Sequence, residues 1–174
     1  APIGAALFGF LYAPLVITGI HHTTNAVDLQ LMQSMGGTPI WPLIALSNIA
    51  QASAVVGIIL ISRKENEREI SVPAAISAYL GVTEPAMYGI NLKYKFPMLC
   101  AMVGSSLAAL ICGFSGVMAN GIGVGGLPGI LSIQPQYWAI YAVAMLVAIV
   151  VPVVLTLLVY KRQQAAGKLD LATA

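Results

Sequence analysis

From Tyr137 to Tyr160 the chain carries no charged side chain, and the same holds for about Ile3–Ile20, Ile40–Ile61 and Pro97–Ala119. A helix needs about 20 apolar residues, each rising about 1.5 Å, to cross a bilayer. The pattern predicts an all-α integral membrane chain with about four transmembrane helices. A water-soluble reading fails on composition: 59% of residues are hydrophobic and only 8% charged, against about 25% charged in soluble domains. So few charges cannot cover a water-facing surface. The net charge of +2 comes with no basic patch interleaved with stacking aromatics, so no nucleic-acid partner is expected. Residue 1 is Ala, with no charged n-region and no small-residue cleavage site after it. The expectation is a piece cut from a longer polypeptide.

Two intervals are apolar but too irregular for ordinary spans. His21–Pro39 holds Asn25, Asp28, Gln30, Gln33 and a Gly36-Gly37 break; Ser71–Asn91 holds Pro73, Gly81, Thr83, Glu84, Pro85 and Gly89. Non-helical backbone at membrane depth survives only where protein buries it or a polar cavity lines it. Both intervals therefore read as re-entrant hairpins or broken helices around a binding site. A third interval, Asn120–Gln136, is glycine-rich. It lacks a Walker lysine and the strand–glycine–helix setting of a dinucleotide turn, so it reads as a flexible extramembrane loop, and no cofactor is expected.

Charge placement orients the chain. Trp138 and the Lys161-Arg162 pair bracket the last span, as an interface aromatic and a cytoplasmic anchor do. With that pair inside, a hairpin at Ser71–Asn91 brings Arg63, Lys64, Arg68, Lys93 and Lys95 to the same face. A full span there would divide them. The mixed-charge run Arg63–Glu69 reads as a solvated loop. The reading is one transport part, 1–160, followed by a cytoplasmic tail, 161–174.

With charges so scarce, the exceptions carry the chemistry. Outside the cytoplasmic segments only Asp28 and Glu84 are acidic, and His21 and His22 are the only histidines. A carboxylate at membrane depth marks a functional site by default, and Gly81 and Pro85 break the helix around Glu84. His21 and His22 are adjacent and point about 100° apart on a helix, so one is expected to face the cavity while the other packs. No third ligand at familiar spacing supports a metal. Asp28 is expected to orient hairpin backbone or to touch substrate. Asn25, Gln30, Gln33, Thr83, Glu84, Tyr88 and Asn91 together offer the dense donors and acceptors a sugar needs. Cys100 and Cys112, twelve residues apart in one apolar run, lie roughly 18 Å apart on a helix, too far for a disulfide. They read as small buried thiols.

The run Gly81-Val82-Thr83-Glu84-Pro85 resembles the Gly-Ile-Thr-Glu-Pro signature of IIC components in the glucose superfamily of the bacterial phosphotransferase system. Ile20-His21-His22 followed by Asn25 is similar to the family's other polar hairpin. The resemblance covers the whole chain, as the C-terminal half of a IIC domain, and the stretches Ser71–Tyr94 and Asn120–Pro135 point to trehalose among glucosides. It implies a multi-pass protein of the bacterial inner membrane that moves sugar inward coupled to phosphorylation of its 6-hydroxyl by a phosphocysteine on a IIB domain, itself served by IIA. Carried over, catalytic roles fall on Glu84 and on His21 or His22, and Thr83 and Asn25 join them in binding sugar. The family's dimer contact lies in an N-terminal part outside this sequence, so the fragment alone is expected to be inactive. From the residues alone, a proton-coupled secondary transporter of a small polar solute stands as the alternative.

Overall fold

The computed structural model describes residues 2–18, 23–61, 65–91, 96–120 and 127–165. They form α1 (Pro2–Thr18), α2 (Thr23–Met35), α3 (Ile40–Ile61), α4 (Glu65–Tyr79), a single turn α5 (Glu84–Ala86) that runs on as a π-helix (Met87–Asn91), α6 (Phe96–Ser115) and α7 (Trp138–Ala165). Two 3₁₀ turns, Leu127–Ser132 and Pro135–Tyr137, precede α7. Among the described residues three helices are long and apolar enough to cross a membrane: Ile40–Leu60, Phe96–Ser115 and Pro135–Arg162. The first apolar stretch of the sequence is shorter as a helix, 17 residues, and lies along α6.

The helix α3 is the axis of the fold. It touches every other helix named, and 83% of its apolar window is buried against 22% for α7. Its small residues make this crowding sterically feasible: Ala45, Ala50, Ala52 and Ala54 are fully buried. A Cβ on Gly57 would sit 2.8 Å from Thr156 of α7. At the α6–α7 crossing, a Cβ on Gly104 would run into the Pro152 ring. Gly9 of α1 meets the Ala109 methyl and the Ser105 carbonyl of α6 in the same way, at 2.7 and 2.9 Å. Between helices in lipid there is no hydrophobic drive, so close van der Waals approach through small residues takes its place. The outer face of α7 shows the complement: Leu146, Val150, Val154 and Leu158 recur every fourth residue and are exposed, while Tyr141, Ala144 and Ala148 face inward.

Two expectations about loops change in the structure. The interval Asn120–Gln136 is not wholly a loop. Its described part is pinned by backbone bonds from Asn120 N–H to the Ser132 carbonyl (2.7 Å) and from Gln134 N–H to the Met118 carbonyl (3.1 Å). Ala119 pairs with both Thr38 and Ile133, and the Trp138 indole donates to the Ile133 carbonyl at 2.8 Å. The mixed-charge run is not a loop from Glu65 onward either: its last residues open α4, where side chains of alternating sign suit a helix start as well as a coil.

Gly104→Ala should lower the thermal midpoint of the detergent-solubilised protein, because overpacking a close crossing costs about 1–3 kcal/mol. Gly4→Ala, where a Cβ meets nothing within 4 Å, should leave it unchanged. Equal midpoints for the two would show that the α6–α7 contact is looser than the structure has it.

Candidate substrate site

The α4 helix ends because Gly81 adopts φ 107°, a conformation that L side chains avoid. Val82 N–H then bonds back to the Ser77 carbonyl at 2.9 Å, and the Ser77 hydroxyl donates to the Val82 carbonyl at 3.1 Å. Those bonds satisfy backbone groups that a broken helix would otherwise leave bare. Pro85, at the start of the next turn, has no N–H to lose there, and Met87 N–H closes onto the Thr83 carbonyl at 2.8 Å. The chain thus reverses at 80–83 and presents Thr83 and Glu84 together at the tip. Thr83 is buried, while Glu84 and Tyr88 are exposed.

The second polar segment is α2, with Asn25 in its first turn and Gln30 and Gln33 exposed farther along. Asp28 is fully buried, and its Oδ1 accepts from the Thr38 hydroxyl. That same hydroxyl oxygen accepts from Ile40 N–H at 3.2 Å, at the start of α3. Asp28 therefore orients the joint between α2 and α3, the backbone role read for it from the sequence. Its Oδ2 has no hydrogen-bond partner among the described residues. Burial pushes the Asp28 carboxyl above the ordinary carboxylate range, opposed by the Thr38 hydroxyl and the Trp41 backbone amide, which favour the charged form.

Tyr12 of α1 is buried beside Phe8, their ring centroids 5.7 Å apart. His21 and His22 lie outside the described residues. Asn91, read from the sequence as sugar-facing, is instead fully buried: its amide donates to the Gln51 carbonyl (3.3 Å) and to Gln51 Oε1. The Tyr79 hydroxyl lies 2.9 Å from Ser53 Oγ. Gln51 and Ser53 were legible as polar residues inside the apolar run Ile40–Ile61, but not their partners. Cys100 and Cys112 are buried and free, as small thiols in an apolar helix should be. A cavity of about 360 Å³ lies elsewhere, between α1, the start of α3 and the end of α6. Its lining includes Phe8, Ile40, Leu43 and Val117 and no charged side chain, so it does not suit a sugar.

The α2–α3 joint is testable. Thr38→Val removes the hydroxyl donor to a buried carboxylate, a bond of about 1.5–3 kcal/mol, and should lower the thermal midpoint at neutral pH. Because that bond favours the charged form, its contribution is present above the carboxyl's pKa and is lost as pH falls through it. The deficit should therefore shrink at acid pH, and in an Asp28→Asn background. A deficit independent of both would show that Thr38 acts by packing alone.

Comparison with known proteins places the sequence in a family. The family described as "Phosphotransferase system, EIIC" matches residues 1–105, which include both polar segments. The chain is 77% identical over 171 residues to the trehalose-specific EIIBC component of Escherichia coli K12, covering 98% of this chain and 36% of that protein. It is 51% identical over 153 residues to the trehalose-specific EIIBC component of Bacillus subtilis 168, covering 87% and 33%. It is 45% identical over 165 residues to the sucrose-specific EIIBC component of Pasteurella multocida Pm70, covering 93% and 35%. The chain thus spans about a third of the length of these relatives, and no solved structure matches it. On a match that takes in most of its length, both polar segments included, the chain belongs to the EIIC family of the phosphotransferase system.

Proposed function

We propose that this chain is the sugar-handling part of a phosphotransferase permease, binding a glucoside, trehalose in particular, at the hairpin tip. The observation that carries the proposal is Glu84: an exposed carboxylate at the tip of a broken helix, in a chain with almost no other acid outside its charged loops. The trehalose specificity named for the relatives at 77% and 51% identity supports the choice of sugar. A IIB phosphocysteine, served by IIA, is the phosphoryl donor. Its sulfur–phosphorus bond breaks as the sugar 6-oxygen bonds phosphorus; the thiolate leaves, and the hydroxyl proton passes to Glu84 or to one of His21 and His22. Thr83 and Asn25 hold the sugar. The buried Cys100 and Cys112 are unsuited to the donor role, so the donor cysteine lies outside these 174 residues. Dimerisation through the N-terminal part of a complete IIC and inactivity of this fragment alone belong to the same reading.

The topology is part of the proposal as well. Residues 1–160 form the transport part, and 161–174 the cytoplasmic tail, its first residues continuing α7 to Ala165. The segment Ser71–Asn91 enters and leaves from the cytoplasmic face, and His21–Pro39 forms the other re-entrant segment. In a full-length protein lacking Cys100 and Cys112, an impermeant thiol reagent should reach Leu131→Cys only from outside. Glu69→Cys and Lys161→Cys should react only from inside. Glu69 and Lys161 reacting from opposite sides would overturn the hairpin.

Glu84→Gln in the full-length permease should abolish or severely impair sugar phosphorylation in protein that still inserts. Loss of a charged hydrogen bond weakens binding by about 1.5–3 kcal/mol, and loss of positioned proton transfer slows the reaction by about 10²–10⁴-fold. In vesicles with sugar outside and the phosphoryl chain inside, sugar phosphate should accumulate despite a protonophore. Uptake that stops with the protonophore but continues without the phosphoryl donor would replace this reading with a proton-coupled transporter.

A further inference from the structure

We infer that Gln51 and Asn91 are positioning residues for Glu84, an amide clamp that sets where the carboxylate stands; this rests on the role proposed above for Glu84 in the sugar site. No side-chain hydrogen bond holds Glu84 among the described residues, so backbone must place it. That backbone is pinned to α3 on both sides of the tip. Before the tip, Ser53 Oγ donates to the Ile49 carbonyl at 2.8 Å, so the Tyr79 hydroxyl, 2.9 Å away, donates to it. After the tip, both N–H groups of Asn91 are spent on Gln51, one on its carbonyl and one on Oε1. Gln51 Nε2 in turn points to Met98 Sδ at 3.6 Å. The two pins lie two residues apart on α3, one before and one after the turn that carries Glu84.

The π-helix gains a reason from this arrangement. Residues seven apart on an unbroken α-helix share a face, so Asn91 would point the way Glu84 points. The wider turn at Met87–Asn91 rotates the later residue away. Glu84 then stays exposed while Asn91 is fully buried against α3. Such π-turns recur at functional sites. An apolar pair at 51 and 91 would bury as well, but it could slide along α3. Two directed bonds from one amide to one residue fix the register. Asn91 is too buried to touch sugar, so its effect must pass through the short helix to Glu84.

The test uses the full-length permease in vesicles with its phosphoryl donor. Asn91→Ala and Gln51→Ala should each lower kcat for sugar phosphorylation by about 10- to 100-fold, since a misplacement of about 1 Å costs up to about 10²-fold. KM should rise by less than kcat falls. Glu84→Asp, which retracts the carboxylate by one methylene, should slow the wild type markedly but add little in the Asn91→Ala background. Residues that do not contact each other should otherwise show additive effects. Exchanging the two amides, Gln51→Asn with Asn91→Gln, should restore kcat to within about threefold of wild type. If Asn91→Ala fails to accumulate, the exchange decides: recovery supports the clamp, and an inserted but slow exchange variant overturns it. Additive losses, or an unchanged kcat in Asn91→Ala beside an impaired Glu84→Gln, overturn the clamp alone. Normal rates in both Glu84→Gln and Glu84→Asp would instead remove the proposed role of Glu84, and the clamp with it.

Discussion

A peptide N–H or C=O that meets hydrocarbon without a partner costs several kcal/mol, and the layout of this protein reflects the avoidance of that cost. Unbroken helices can face lipid because their backbones are internally satisfied, and α7 does so along one side. Broken helices cannot. Wherever the chain interrupts a helix to expose a functional group, it must supply protein on every side of the break. The central helix α3 is that protein, which is why it is the most enclosed of the three long apolar helices.

Enclosure of α3 in turn demands small residues. Alanines at 45, 50, 52 and 54 and Gly57 bring the neighbouring backbones close enough for van der Waals attraction to replace the hydrophobic effect. Small residues alone would leave the hairpin free to shift. The polar residues among them, Gln51 and Ser53, give it direction. A few buried amides and hydroxyls thus act where charge would be too costly: Gln51 holds Asn91 and Ser53 holds Tyr79 on either side of the turn.

The glycines at helix ends obey the same constraint. Gly36 and Gly81 both take positive φ, the first just past the end of α2 and the second just past the end of α4. At the first, the chain turns into the joint that Asp28 and Thr38 hold; at the second, into the tip that carries Glu84. A side chain at either position would strain the turn and displace the joint or the tip beyond it.

Much of this was legible without coordinates. Charge-free runs of membrane-crossing length, and interruptions by glycine, proline and carboxylate, reflect solvent physics acting residue by residue. The all-helical class, the broken segment around Glu84 and that carboxylate's prominence could therefore be read directly from the residues. Partners were another matter. Asn91 and Asp28 looked alike on paper, as polar residues in irregular apolar segments. It took the packing of helices to turn Asn91 inward to Gln51, 40 residues earlier in the chain, and Asp28 to Thr38. Asn120–Gln136 likewise reads as loop from its local pattern, because the ties of its described part run to residues 118–120 and, through Ala119, to Thr38. A local pattern reports how much water a residue can tolerate. Which neighbour satisfies its hydrogen bonds depends on how distant helices cross, and that is settled only when small residues let them pack.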